Sequence, residues 1–336
     1  MPVAPESRAR VLPAADFRPN PLLAHPRIQT ILASKSPRRW LWRMRGSRMA
    51  ALARLHELDC GDGVRLCGWH SPQPIGTEAR GLAVLIHGWE GSHDSNYLYS
   101  MACRLHAAGW NVFRLNLRDH GDSYHLNREM FHSARIAEVL GALQAILTLD
   151  AARPLVVVGF SLGGNFALRV GLYGPAVGVV PKLSIGISPA IDPGATLRAI
   201  DNGPALFRRY FAENWERAML AKADAWPGHY DFSMHLPINS IEKSTAQFVA
   251  EFTEFGELRH YLAAYTLTPD MLMKAPSQVA VITSKDDPVI PIAGFDGLRA
   301  VGSCVAYDVT EYGGHCGFIE NFAMETWTEK RVLELI

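Results

Sequence analysis

The sequence predicts an α/β fold, a mostly parallel sheet with helices on both faces and a helical cap inserted between two of its strands. Three observations lead there. Short apolar runs alternate with longer segments of helical period through most of the 336 residues. The run Leu155-Val156-Val157-Val158-Gly159-Phe160 is continuous and rich in β-branched residues, as a central strand covered on both faces requires. Ninety residues, 189 to 278, separate two successive predicted strands, where a simple crossover would take far fewer.

Taken in order, the predicted strands are Arg54–Asp59, Val64–His70, Leu82–His87, Asn111–Asn116, Leu155–Gly159, Leu183–Ser188, Val279–Thr283 and Cys304–Val309. Helices are expected between them, notably Ser95–Ala108, Ser133–Leu149, Leu162–Tyr173 and Pro291–Val301. The chain then divides into a basic and aromatic helical extension (1–52), a core in two pieces (53–190 and 271–336) and a helical cap (191–270). Residues 192–270 hold 12 of the chain's 32 aromatics in 79 of its 336 positions, Phe207, Phe211, Trp215 and Phe248 among them. That density suits a lid over an apolar ligand, and helix packing accounts for it almost as well.

Lysine and arginine number 33 against 33 aspartates and glutamates, so nothing draws the chain to phosphate backbones, and no nucleic-acid-binding motif occurs. A nucleic-acid partner is not expected. Cys60, Cys67, Cys103, Cys304 and Cys316 show no paired spacing and read as free thiols in a reducing compartment. The stretch MPVAPESRARVLPAADF has no apolar signal region, and no apolar run reaches membrane-spanning length, so a cytoplasmic protein is expected. One local asymmetry stands out. From Phe17 to His56 there is no acidic residue, while nine lysines and arginines alternate with Trp40, Trp42, Met44 and Met49. Residues 35–54 therefore read as a helix packing its tryptophans on the domain, with peripheral membrane contact as the alternative.

The strongest local signal is Gly159-Phe160-Ser161-Leu162-Gly163, a G-x-S-x-G between a strand and a helix. A sharp turn there strains the serine, exposes its hydroxyl and needs glycines where strand and helix nearly touch. A hydroxyl is a weak nucleophile until a base takes its proton, so a histidine and an orienting carboxylate must follow, in the order Ser, Asp, His. Asp287 and His315 fill these roles. Asp287 precedes Pro288 after a predicted strand, and His315 follows the flexible pair Gly313-Gly314. Asp286 and Asp192 remain alternatives, Asp192 being better suited to cap the insertion's first helix. His87 is read as shaping a glycine turn, and His120, His125 and His132 as loop structure or substrate contacts; no metal constellation is evident.

Acyl transfer also needs donors for the tetrahedral oxyanion. Leu162 N–H is one, and Trp89 N–H, in the turn His87-Gly88-Trp89-Glu90-Gly91, is the other, its indole walling the pocket. Serine at the elbow disfavours haloalkane and epoxide chemistry, which would leave a stable serine ether. Neither a dinucleotide fingerprint nor a phosphate-binding loop occurs, and no cofactor is expected.

With these residues located, the chain resembles the α/β-hydrolase superfamily, and within it the YheT-like group of abhydrolase-domain proteins. The resemblance runs over nearly the whole chain, through FRPNPLLAHPRIQTIL, LIHGWEGSHDSNYL, FRLNLRDHGDSYHLN, VVVGFSLGGN, TSKDDPVIP and GGHCGF. It implies an eight-stranded sheet, a helical cap, and Ser161, Asp287 and His315 as triad. Trp89 stands where the group has a smaller aliphatic residue, which bears on the pocket's size but not on the backbone donor. The expected activity is hydrolysis of carboxylic esters, including lipid or medium-chain acyl esters, on a small-molecule substrate. Thioester hydrolysis or acyl transfer would use the same residues, and a non-catalytic binding protein is the alternative of a different class.

Overall fold

The protein is described by a computed structural model covering residues 17–34 and 38–336. The expectations for residues 1–16, and for Lys35 in the basic segment, lie outside the described residues. Eight strands form one sheet: β1 (Arg54–Asp59), β2 (Arg65–Ser71), β3 (Leu82–Ile86), β4 (Asn111–Asn116), β5 (Leu155–Phe160), β6 (Leu183–Ile187), β7 (Val279–Ser284) and β8 (Cys304–Thr310). Their spatial order is β1-β2-β4-β3-β5-β6-β7-β8. β1 and β2 pair antiparallel, as do β2 and β4, and every later pair is parallel.

The helices are α1 (Pro26–Ser34), α2 (Arg38–Arg45), α3 (Ser47–Leu52), α4 (Asn96–Ala107), α5 (Ile136–Leu149), α6 (Leu162–Tyr173), α7 (Pro193–Asn202), α8 (Ala205–Ala225), α9 (Ile241–Phe252), α10 (Leu258–Tyr265), α11 (Pro269–Met273) and α12 (Trp327–Leu335). β3, β5, β6 and β7 are buried along their whole length, so their sequences read as unbroken apolar runs. Successive side chains leave opposite faces of a strand. Val84, Ile86 and Val157 thus join α5, α6 and the cap helices in one core, while Ala83, Leu85, Val156 and Val158 join α4, α12 and Trp42 of α2 in the other.

Register brings the site together. Ile86 of β3 lies opposite Gly159 of β5, and Phe160 opposite Ile187 of β6, so the loops leaving these carboxyl ends meet at one edge. Helices α7 to α11 fill the long interval between β6 and β7 as an inserted cap. Asp192 begins it, its side chain accepting the Ala195 N–H at 2.9 Å as the N-cap of α7. A buried pair then fastens the cap to the core: Lys222 of α8 donates to Asp119 at 2.8 Å and to the carbonyl of Asn127 at 2.6 Å.

One predicted helix is not formed. Residues 291–301 hold only a 3₁₀ turn, Ile292–Phe295, because Pro291 is extended and Gly297 turns left-handed at φ +87°. In the basic segment, Arg38 is buried on Glu329 at 2.7 Å and Ser100 at 2.5 Å, while Arg39 and Arg43 both pair with Asp94. Trp42 is buried; Trp40 and Met44 are exposed. Among the described residues no helix is long and apolar enough to cross a membrane.

Candidate active site

Ser161 stands between β5 and α6 at φ +54°, ψ −119°, a conformation that L-residues adopt only under constraint. The constraint is local crowding. A Cβ on Gly159 would lie 1.9 Å from the Gly163 carbonyl oxygen, and one on Gly163 would lie 2.3 Å from the carbonyl oxygens of Ile86 and His87. No side chain fits at either position. The turn is held by Ser161 N–H donating to Ile187 O at 2.9 Å, and its hydroxyl meets the loop that follows β8.

There Oγ meets His315 Nε2 at 2.9 Å, and His315 Nδ1 meets Asp287 Oδ2 at 2.9 Å. The Asp287 side chain is fully buried, and its other oxygen accepts the amides of Val289 and Ile290 at 2.8 and 2.9 Å. Those two bonds fix the carboxylate's orientation independently of the histidine. Burial works against charge on His315, but the Asp287 carboxylate outweighs it and holds the imidazole well above the ordinary histidine range. Asp286 faces elsewhere, accepting the Gly314 N–H at 2.9 Å.

The loop carrying His315 rests on the N-terminal helix α1. Thr30 Oγ1 accepts the His315 N–H at 2.9 Å and donates to Pro26 O at 2.8 Å. The wholly buried Gln29 accepts the Ile319 N–H at 2.7 Å and donates to the carbonyls of Ile319 and Leu23. Neither contact was foreseen from sequence. The segment that makes them, FRPNPLLAHPRIQTIL, stands out in sequence as one of those that carry the family resemblance.

The turn Gly88-Trp89-Glu90 also packs close to the nucleophile, a Cβ on Gly88 lying 3.1 Å from Ser161 Cβ. No protein acceptor takes the N–H of Trp89 or of Leu162 among the described residues. Both residues line, with Ser161, a mainly apolar cavity of about 100 Å³ under the cap, walled also by Phe131, Leu197, Phe211 and Phe248. The Trp89 indole stacks on Phe211 and meets Trp215 edge-on, so it joins the cap to the cavity wall.

Two neutral imidazoles brace this turn. His87 Nδ1–H donates to Gly88 O at 2.7 Å while its Nε2 accepts the Leu117 N–H at 3.1 Å. His120 Nδ1–H donates to Arg118 O at 2.6 Å and Nε2 accepts the Glu90 N–H at 3.2 Å. Burial keeps both uncharged, pulling His87 well below the usual range and His120 down to about 4. His132, buried and likewise pulled down to about 3, lines the apolar cavity, whereas His125 is exposed. Among the described residues no group of three or more metal-ligating side chains converges.

Comparison with known proteins bears on the fold and the family. Over 287 residues, 82% of each chain, the sequence is 24% identical to the Escherichia coli protein named "Putative esterase YheT". Among solved structures it is similar to Est1E of Butyrivibrio proteoclasticus with bound ferulic acid, at TM-score 0.53 and 16% identity over 83% of this chain and 97% of that one. The esterase Pf2001 of Pyrococcus furiosus matches at TM-score 0.52 and 15% identity, over 96% and 94%. A 2,6-dihydroxy-pseudo-oxynicotine hydrolase matches at TM-score 0.54 and 18% identity over 82% of this chain, but this chain spans only 65% of that protein's length. At these identities the structures speak for the fold alone. The family model described as the alpha/beta hydrolase family matches residues 83–324, the interval that holds the sheet from β3 onward, the elbow and the histidine loop, and the chain belongs to that family.

Proposed function

We propose that the protein is a serine hydrolase of carboxylic esters, with Ser161 as nucleophile, His315 as base and acid, and Asp287 as the group that orients the imidazole. One observation carries the reading: the unbroken hydrogen-bonded series from Asp287 through His315 to Ser161, both links at 2.9 Å, with Ser161 bordering the same cavity as Trp89 and Leu162. The serine–histidine distance is within the reach that proton transfer requires. His315 Nε2 takes the Ser161 proton as Oγ attacks the ester carbonyl. The tetrahedral oxyanion then lies between the N–H groups of Trp89 and Leu162, at the positive end of α6. On collapse His315 returns the proton to the leaving alkoxide. Water enters, gives a proton to His315, and attacks the acyl-enzyme to release the acid.

The apolar cavity under the cap accommodates the acyl part, and Phe211, Trp215, Phe248, Tyr261 and Tyr265, five of the insertion's twelve aromatics, line it. The name of the YheT relative supports the same activity class. Membrane contact through residues 35–54 has weaker support, because Arg38, Arg39 and Arg43 already hold carboxylates of this chain. The test is hydrolysis of p-nitrophenyl esters of increasing acyl length by wild type and Ser161→Ala. Loss of about 10⁴-fold or more in the variant supports the serine route. Equal rates in a folded variant would overturn it.

A further inference from the structure

Gly88 has to be a glycine because it sits against the nucleophile: a Cβ there would lie 3.1 Å from Ser161 Cβ and 3.3 Å from the Phe160 carbonyl oxygen. A glycine gives up more conformational freedom on folding than any other residue, so the turn it opens needs restraints from other groups. It has them on both of its peptide planes. The Gly88 N–H donates to the Tyr97 hydroxyl at 3.0 Å. The Gly88 carbonyl accepts His87 Nδ1–H at 2.7 Å and the Gly91 N–H at 3.0 Å. That carbonyl belongs to the same rigid trans peptide unit as the Trp89 N–H, so holding it on one side aims the amide on the other.

The hydrogen bonds of this loop single out one amide. The N–H groups of Gly88, Glu90, Gly91, Ser92, His93, Asp94 and Ser95 all have acceptors, namely Tyr97, His120, the Gly88 carbonyl, Ser95 Oγ, Asn116, Ser92 Oγ and the Ser92 carbonyl in that order. Among the described residues the Trp89 N–H has none. Backbone donors in a packed loop are ordinarily paired, so the single free one is left for a ligand.

Tyr97, in the first turn of α4, reaches the other half of the site as well. Its ring packs on Phe160 with centroids 4.8 Å apart, and Phe160 immediately precedes Ser161. One side chain therefore touches the residue before the nucleophile through its ring and the residue before the free amide through its hydroxyl. We infer that Tyr97 is a positioning residue, which fixes the Trp89 N–H relative to Ser161 so that the amide is already aimed when the oxyanion forms. This rests on the ester hydrolase reading, with Trp89 as oxyanion donor. Tyr97 acts through Gly88 and Phe160 rather than on the substrate.

The test is Tyr97→Phe in the full chain, which removes the hydroxyl and keeps the ring. Losing an oxyanion donor outright costs about 10² to 10³ in kcat, and loosening its aim should cost less, about tenfold on p-nitrophenyl octanoate with KM nearly constant. The oxyanion contact is read separately by inhibition with 1,1,1-trifluorodecan-2-one and with decan-2-one. In the first, Ser161 Oγ bonds to the carbonyl carbon, its proton passes to His315 and the carbonyl π pair becomes the oxyanion; the second binds as the unaltered ketone. The variant should bind the trifluoroketone about tenfold more weakly and the plain ketone within about twofold of wild type. The acid limb of the pH profile should not move, because His315 keeps its partners. An unchanged kcat, equal weakening of both inhibitors, or a displaced acid limb overturns the assignment. In wild type, amide exchange should be about tenfold or more slower at Gly88 than at Trp89, and equal rates overturn the restraint whether or not the variant folds. Failure of the underlying reading looks different: wild type would cleave no ester, or cleavage would survive Ser161→Ala.

Discussion

Replacing Asp287 by asparagine separates the two adjacent aspartates and tests how the imidazole is held. The amides of Val289 and Ile290 donate to Asp287 Oδ1 at 2.8 and 2.9 Å, so an asparagine here keeps its carbonyl oxygen on them. Its NH₂ group then faces His315 Nδ1, where Oδ2 now stands at 2.9 Å. A donor at that place makes Nδ1 the acceptor, puts the ring proton on Nε2, and leaves nothing to receive the Ser161 proton. The fold is retained while the tautomer is wrong. The corresponding change in the chymotrypsin triad costs about 10⁴ in kcat, or about 5 kcal/mol of barrier, and a loss of this order is expected here. Asp286→Asn loses only a charge on the Gly314 amide, and should stay within about tenfold of wild type. The assay is kcat on p-nitrophenyl octanoate across pH, with thermal unfolding to verify both variants. Activity needs neutral His315, so it is lost as pH falls through the pKa of that group. Because Asp287 raises that pKa, the wild-type acid limb should lie above pH 6.5 and move down in Asp287→Asn. Equal, small losses in the two variants, or a large loss in Asp286→Asn alone, would refute the assignment.

Thr30→Val removes the acceptor of the His315 amide without changing side-chain shape, and should lower kcat by about tenfold with KM nearly constant, Thr30→Ser restoring it; a change in melting temperature alone would mean α1 only adds stability. Lys222→Met strands the buried Asp119 carboxyl and should cost about 3–5 kcal/mol in urea unfolding; a cost below about 1 kcal/mol would show that the cap is fastened elsewhere. Sedimentation with phosphatidylserine vesicles at low salt should give equal pellets for wild type and for a variant with Arg39, Arg43 and Arg45 changed to alanine, since two of the three are already paired; a smaller pellet in the variant would restore the membrane reading. His120 is buried with its pKa pulled down to about 4, so the unfolded chain takes up a proton at that residue below pH 6.5 and the native one does not. Stability should therefore fall by about 2 kcal/mol from this group between pH 6.5 and 5, and His120→Gln should flatten that slope.

Much of the fold was legible because the central strands are buried on both faces, and a strand in that position has little choice but to be apolar throughout. β1, β4 and α6 begin and end where the pattern places them, and the other strands differ by a residue or so. The elbow was legible for a different reason. Its glycines answer to contacts within five residues, Gly159 against Gly163, so local sequence carries the constraint. The predicted helix at 291–301 fails because apolar periodicity says nothing about Gly297, whose left-handed conformation ends any helix there. What sequence did not show is the set of contacts made across distance. Thr30 and His315 are 285 positions apart, and a threonine that holds a histidine loop has the same neighbours in sequence as one that faces water. Lys222 reads as one more charge on an amphipathic helix until Asp119 is seen beneath it.

Those distant contacts share a design with a chemical consequence. Three loops at the sheet edge are each held by a group from outside their own βα unit: the histidine loop by α1, the loop after β4 by Lys222, and the Trp89 turn by His120. The last brace works only while the imidazole is neutral, because its Nε2 must accept the Glu90 amide. With His120 pulled down to about 4, that hydrogen bond survives well below the pH at which His315 takes up its proton. Loss of activity on mild acidification is then a report on His315 with the oxyanion turn still in place, and it should reverse on returning to neutral pH. Only below about pH 4 does protonating His120 put a donor against a donor at Glu90 N–H, where activity and structure should be lost together.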